Sequence, residues 1–239
     1  MSAKKEQLTM TESYGAGTHS HRSRLIRFSH RRSFDHAFEL LKAEPGNRVL
    51  DYGSGDGYLL ERLLPVIPEG NMAAFEPPEY LQEQIRARFP VEPIRLVTAV
   101  DDLVQQRFDR IACLEVLEHL QSENVQRTLV ILEELLEPGG VLVVSVPVEV
   151  GPSILFKYIA SQIQKGSNRN LSISELLRAS LYRSVPRDTT SSFISHKGFD
   201  YRKLRALLTQ RFRLERELFS PFPLLQGVFN AQVLWRLTK

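Results

Sequence analysis

The stretch that organises the chain is Arg48-Val49-Leu50-Asp51-Tyr52-Gly53-Ser54-Gly55-Asp56-Gly57-Tyr58-Leu59-Leu60. It combines a short apolar strand, a glycine-rich turn and the beginning of a helix. The three glycines let the backbone bend sharply and come close to a ligand. The helix that follows directs free backbone N–H groups at the same place. The stretch therefore predicts a ligand-binding turn between a strand and a helix.

The glycine spacing separates this turn from a dinucleotide-binding loop. The dinucleotide fingerprint G-x-G-x-x-G has its third glycine one position later, where this chain has Tyr58. In addition, Asp51 stands two residues before the first glycine. Its carboxylate would repel a pyrophosphate, but it suits a cationic group such as an ammonium or a sulfonium. The turn therefore indicates a positively charged ligand.

A second acid lies at the distance expected for a ribose contact. Residues 71–76 read as the second strand, which ends in Glu76, 19 residues after Gly57. A carboxylate at the tip of such a strand accepts hydrogen bonds from both ribose hydroxyls because it offers two acceptor oxygens. The turn and Glu76 together predict a ligand that carries a ribose.

Strands and helices alternate along the chain. Further strands are predicted at 94–100, 108–114, 141–146, 212–219 and 230–237. Helices are predicted at 33–42, 58–64, 79–89, 202–210 and from Ser122 onward. The alternation predicts an α/β fold with a doubly wound, mostly parallel, Rossmann-like sheet of seven strands.

The D-x-G-x-G-x-G turn and the position of Glu76 are the basis for a resemblance to a known family. Over about residues 30 to 150, the sequence resembles the class I S-adenosylmethionine-dependent methyltransferases. The resemblance implies an antiparallel edge strand and a helical lid. It implies that the cofactor-binding residues are Asp51, Gly53, Ser54, Gly55, Gly57, Tyr58, Glu76, Pro77, Ala99, Val100, Asp101, Leu114, Glu115 and Val116. Many relatives have an acid where this chain has Ala99, so backbone or Asp101 is expected to contact the adenine.

A second group of chemical residues follows the fourth predicted strand. Glu115, Glu118 and His119 stand at i, i+3 and i+4 and would share one face of a helical turn. The E-x-x-E-H motif resembles ubiquinone-type (type 11-like) O-methyltransferases and small-RNA 2′-O-methyltransferases. The second branch implies Mg²⁺ or another divalent cation held by these residues and His196. The alternative has no metal: Glu115 lines the cofactor pocket and His119 acts as the catalytic base.

We expect the chain to divide into a polar flexible arm at 1–29 and, as the resemblance implies, a methyltransferase domain at 30–239. A helical insertion at about 152–185 is longer than an ordinary connection. In the resembled family such an insertion forms a lid over the acceptor. An extra pair of packing helices and shallow contact with lipid are the alternatives.

Composition narrows the function. The formal net charge is +3, there is one cysteine, and no apolar run is long enough to cross a membrane. A cytoplasmic enzyme is therefore expected. The resemblance implies methyl transfer, and we expect O-methylation of a small-molecule, lipid-linked or saccharide-type acceptor. The alternatives are an RNA 2′-O-methyltransferase and a non-catalytic nucleotide- or partner-binding module, with peripheral membrane contact open in each case.

Overall fold

A computed structural model describes residues 24–68, 70–91, 94–155, 157–158, 172–182, 185, 198–226 and 229–239. Seven strands form one sheet in the order β3-β2-β1-β4-β5-β7-β6. Their bounds are β1 Val49–Tyr52, β2 Met72–Phe75, β3 Arg95–Val97, β4 Phe108–Leu114, β5 Leu136–Pro147, β6 Arg213–Ser220 and β7 Gln232–Thr238.

The sheet is parallel from β3 to β5, and its other side ends with the two strands β7 and β6, which are antiparallel to each other. In the parallel part, Asp51 of β1 pairs with Ala74 of β2 on one side and with Ala112 of β4 on the other. On the far side, β7 runs antiparallel to both β5 and β6. The predicted doubly wound sheet with an antiparallel edge is confirmed. The order of the strands reverses between β1 and β4, which is where such sheets bind ligands.

Helices cover both faces of the sheet, as the apolar strands require. The helices are α1 Arg24–Leu41, α2 Tyr58–Leu63, α3 Glu79–Arg88, α4 Ser122–Leu135, α5 Ile173–Ser180 and α6 Tyr201–Arg211. Apolar residues of α1, α2 and α3 share one buried cluster with the strands, and those of α4 and α6 share another. The residues of β1 and β2 are buried throughout because both faces are covered.

Helix α1 begins earlier than the sequence pattern predicted. It starts at Arg24, so the boundary predicted at residue 30 falls inside the helix. The ring of Phe28 contacts that of Phe222, which adds packing to a part of the helix that reads as polar in the sequence. The side chain of Arg236 donates to the carbonyl of Leu40 near the other end. Residues 1–23 of the predicted flexible arm lie outside the described residues.

The insertion is described in part. Helix α5 begins with a capping box, in which Ser172 and Glu175 satisfy each other's backbone N–H groups. Leu176 and Ala179 pack against Ile154 and Val185 in a small separate cluster. The first predicted helix of the insertion lies largely outside the described residues, and its role as a lid stays a prediction. No helix in the described ranges is long and apolar enough to span a membrane.

Candidate active site

The glycine turn takes the conformation that its sequence predicts. Gly53, Gly55 and Gly57 have φ angles of 82°, 57° and 82°, in the left-handed region that favours glycine. A Cβ atom on Gly53 would stand 2.3 Å from Cγ2 of Val116, whereas one on Gly55 would meet no atom within 4 Å. Gly53 is therefore needed for packing against the loop after β4, and the space above Gly55 is open to a ligand.

The acid of β2 meets this turn directly. The backbone N–H of Gly55 donates to Oε2 of Glu76 at 2.6 Å. The side-chain amide of Gln82 donates to the carbonyls of Glu76 and Pro77, at 3.0 and 2.9 Å, and so holds the chain after β2. The two elements that the sequence assigned to one ligand, the turn and Glu76, are thus in contact.

Burial raises the pKa values of the two acids of the site. Asp51 and Glu76 are both buried. Burial, followed by the charges of Glu76 and Asp56, raises the pKa of Asp51 to about 8. Burial also raises the pKa of Glu76 to about 7, although the bond from Gly55 acts in the opposite direction. No described side chain brings a positive charge that offsets these effects at Asp51.

This electrostatic arrangement fits S-adenosylmethionine. Its ammonium and sulfonium would supply the missing positive charge near Asp51, and its ribose hydroxyls would donate to the carboxylate of Glu76. The open space above Gly55 leaves room for the ligand next to the turn. When bound, the cofactor supplies an activated methyl group. The chain's task is then to hold the donor and the acceptor in line.

The same pKa shifts predict how binding depends on pH. If Glu76 is the ribose acceptor, it would bind best as a carboxylate, so a protein that is partly protonated at this group would release protons when the ligand binds. We therefore expect the affinity for S-adenosylhomocysteine to rise several-fold from about pH 6 to about pH 8. Calorimetry in buffers of different ionisation enthalpy would measure the proton release. An affinity that falls over this range would contradict the assignment.

The stability of the unliganded protein should change with pH in the opposite sense to the affinity, and should fall as the pH rises. The folded protein keeps the proton of Asp51 up to about pH 8, whereas the unfolded chain loses it near the ordinary pKa of 3.8. The unfolded state therefore binds fewer protons in this window, and the free energy of unfolding falls as the pH rises through it. Bound ligand should reduce that loss. Thermal melts across the window, with and without S-adenosylhomocysteine, would measure both effects.

The other predicted cofactor residues line the same edge of the sheet. Tyr58 is the first residue of α2, and its ring lies 5.0 Å from that of Phe34. Ala99 precedes a 3₁₀ turn at Val100–Leu103, which follows β3 and contains Asp101. Leu114 ends β4. All these positions lie at or just after the carboxyl ends of β1 to β4, so the fold brings the predicted residues to one edge.

The E-x-x-E-H segment does not form the predicted α-helical turn. Leu117–His119 is a 3₁₀ turn, and Glu115 stands before it with a left-handed φ of 56°. The prediction that the three side chains share one face of a helical turn is therefore wrong, because Glu115 lies outside the 3₁₀ turn. Glu118 is fully buried, and its Oε1 lies 3.9 Å from Nε2 of His119. The catalytic role of His119 stays a prediction.

The carboxylate of Glu115 turns toward other groups. It accepts a hydrogen bond from the side-chain amide of Gln232 and lies 3.6 Å from Nδ1 of His30. Among the described residues, no three His, Cys, Asp or Glu side chains gather as metal ligands would. His196, the fourth predicted ligand, lies outside those residues. We therefore assign no metal ligand among Glu115, Glu118 and His119.

Three side chains at this edge were not predicted from the sequence as site residues. His30 lies just after the predicted polar arm, Ser33 is the first residue of the helix predicted at 33–42, and Gln232 opens β7. For Gln232 the sequence signal was a polar residue inside the mostly apolar strand predicted at 230–237. A cavity of about 260 Å³, lined in part by Arg48, Arg95 and Phe108, lies at the opposite edge, away from all these groups.

Comparison with known proteins decides the family. Residues 19–197 match the family model described as a methyltransferase domain. The chain belongs to this methyltransferase family. The match and the fold confirm the prediction of a class I S-adenosylmethionine-dependent methyltransferase. A search of curated protein sequences finds no match.

Solved structures share the fold of the methyltransferase at low sequence identity. The N-methyltransferase NodS of Bradyrhizobium japonicum, in complex with S-adenosyl-L-homocysteine, has a TM-score of 0.60 and 14% identity, with 97% of each chain covered. The cyclopropane synthase MmaA2 of Mycobacterium tuberculosis has a TM-score of 0.62 and 14% identity, over 96% of this chain and 91% of that one. The 1,6-didemethyltoxoflavin-N1-methyltransferase of Burkholderia thailandensis has a TM-score of 0.58 and 17% identity, over 99% and 89%. The activities in these names differ, so the shared fold does not choose the acceptor.

Proposed function

We propose that the methyltransferase transfers a methyl group from S-adenosylmethionine to a hydroxyl of an acceptor that has an apolar part, such as a small amphiphile or a lipid-linked saccharide. The observation that carries the acceptor class is a group of exposed apolar side chains at the edge where the cofactor residues lie. In this group Leu224 is 96% exposed. Phe28, Phe222, Leu225 and Phe229 are also exposed.

The position of this apolar group follows from the topology. Strand β6 runs parallel to β5, because both are antiparallel to β7. The connection after Ser220 therefore leaves the sheet at its carboxyl edge, like the turn at Gly53. Helix α5 adds Ile173 and Leu177, two exposed apolar residues on one side of the helix. Exposed apolar groups around a polar site are typical of a surface that binds an apolar ligand.

Transfer to oxygen is favoured by the groups beyond β4. A hydroxyl must lose its proton during methylation, whereas a neutral amine attacks without this loss in advance. The carboxylate of Glu115 and the imidazoles of His30 and His119 lie at this end of the strand. Such groups serve as proton acceptors when their pKa lies near the working pH.

An acceptor panel tests the proposal. The full chain would be incubated with S-adenosylmethionine that carries a labelled methyl group, together with hydroxylated amphiphiles, lipid-linked saccharides, matched amines and short RNAs. We expect label in an ether of a hydroxylated amphiphile or saccharide. Leu224→Ser should raise the KM for an apolar acceptor more than for a water-soluble one. Label found only in amines or only in RNA would contradict the proposed acceptor.

A further inference from the structure

Three side chains form a hydrogen-bonded polar chain at the carboxyl edge, and the imidazole of His30 faces its last member as an ion-pair partner. Ser33 on α1 donates to the side-chain oxygen of Gln232, and the amide nitrogen of Gln232 donates to Oε1 of Glu115. Nδ1 of His30 lies 3.6 Å from the same Glu115 oxygen. The two hydrogen bonds of Gln232 have a defined direction, because its amide accepts at one atom and donates at the other.

The polar chain is buried at its Ser33 end and partly exposed to solvent at its His30 end. Ser33 and Gln232 are buried, whereas the side chains of His30 and Glu115 are 21% and 22% exposed. Nδ1 of His30 is itself buried, so the exposed part of this side chain is the remainder of the ring. The polar chain therefore has an imidazole, with a carboxylate behind it, at the carboxyl edge of the sheet.

The backbone at Glu115 is held in an uncommon conformation. Its φ of 56° is costly for a residue with a side chain, by about 1–2 kcal/mol. The N–H of Glu115 donates to the carbonyl of Ser145 on β5 at 3.0 Å, which fixes the residue at the end of β4. Residues held in such regions cluster at active sites. The carboxylate of this residue contacts groups of α1 and β7.

We propose that His30 is the catalytic base of the methyltransferase and that Glu115 positions its imidazole. This inference rests on the proposed O-methylation. The acceptor hydroxyl gives its proton to Nε2 of His30, and its oxygen electron pair forms the new bond to the methyl carbon. The carbon–sulfur bond of S-adenosylmethionine breaks with its electron pair going to sulfur. The negative charge of Glu115, 3.6 Å from Nδ1, stabilises the imidazolium, and the proton then passes to solvent.

The charges around His30 agree with this role. Burial lowers its pKa, and so does the charge of Lys157, but the nearby carboxylate of Glu115 outweighs both and raises the pKa above its ordinary value of 6.5. Lys157 is itself engaged by Glu149 and by the carbonyls of Val148 and Ala231. Because a base must be neutral to accept a proton, kcat should rise with pH through the pKa of His30.

Two substitutions separate catalysis from structure. His30→Asn keeps a donor near Glu115 but removes Nε2, so we expect kcat to fall about 100-fold or more while binding of S-adenosylhomocysteine is retained. It should also abolish the rise of kcat with pH. Glu115→Gln should move that rise to lower pH. His36→Asn is the control for loss of an imidazole from the same helix, because Nδ1 of His36 contacts Ser220 at 3.1 Å. Ser220 pairs with Gln232, so the free energy of unfolding of each variant is measured beside its kcat.

A measurement without substrates completes the test. The pKa of the His30 imidazole, followed by NMR in the unliganded chain, should fall in Glu115→Gln and stay unchanged in His36→Asn. An unchanged His30 pKa in Glu115→Gln would overturn the inference, as would wild-type kcat and pH profile in His30→Asn. Failure of the proposed function looks different, because the wild-type chain would then methylate no hydroxyl at all.

Discussion

Glu76→Gln should weaken the binding of S-adenosylhomocysteine by about 10- to 100-fold. The carboxylate of Glu76 is buried at the tip of β2 and already accepts the N–H of Gly55, so it is placed to accept ribose hydroxyls as well. A hydrogen bond to a charged group contributes about 1.5–3 kcal/mol, which corresponds to this range of affinity. The glutamine has nearly the same shape but donates at one atom and carries no charge.

Glu79→Gln is the control for this change. Glu79 lies three positions later, is exposed, and begins α3 with no described contact to the turn. Its substitution makes the same change in charge and should leave the affinity within about twofold, as expected for exposed charges. Calorimetric titration of both variants would measure the difference. Equal affinities for the two variants would remove Glu76 from the cofactor site.

Gly53→Ala should destabilise the fold more than an alanine at another left-handed glycine. The new methyl group would stand 2.3 Å from Cγ2 of Val116, and the φ of 82° is itself unfavourable for alanine. Gly46 has a φ of 94° and no atom within 4 Å of the added Cβ, so Gly46→Ala measures the backbone cost alone. We expect Gly53→Ala to lower the free energy of unfolding by about 1–3 kcal/mol more than Gly46→Ala.

Val116→Ala provides a direct check on the cause. It removes the atom that the new methyl group would meet, so the double variant should recover part of the lost stability. A double-mutant cycle from denaturant melts should give a coupling of about 1–2 kcal/mol between the two positions. Purely additive effects would show that the close approach of the turn to Val116 does not limit this position.

Local chemistry allowed the first half of the site to be predicted from the sequence. The strand at Val49–Tyr52 and the helix at Tyr58–Leu63 lie where the apolar run and the glycines place them. Glu76 could be assigned because the end of one parallel strand is adjacent to the end of the next. These features depend on residues close together in the chain, which a sequence pattern can register.

The second half depends on long-range register, which no local pattern records. Gln232 reaches Glu115 because β7 pairs with β5 so that Gln232 lies opposite Pro147. His30 joins them because α1 extends to Arg24 and carries its first turns to the same edge. The E-x-x-E-H pattern suggested a shared helical face, but the left-handed backbone at Glu115 redirects its side chain. The sequence predicts His119 as the base, and that prediction is untested. On the structure we propose His30 as the base.

The central claim is that the turn at Gly53–Gly57, with Asp51 and Glu76, binds S-adenosylmethionine rather than a dinucleotide. Calorimetric titration of the full chain with S-adenosylhomocysteine and, separately, with NADH tests it most directly. We expect one molecule of S-adenosylhomocysteine to bind per chain, with affinity that Glu76→Gln reduces, and no heat of binding with NADH. Binding of NADH, or no binding of S-adenosylhomocysteine, would contradict the assignment.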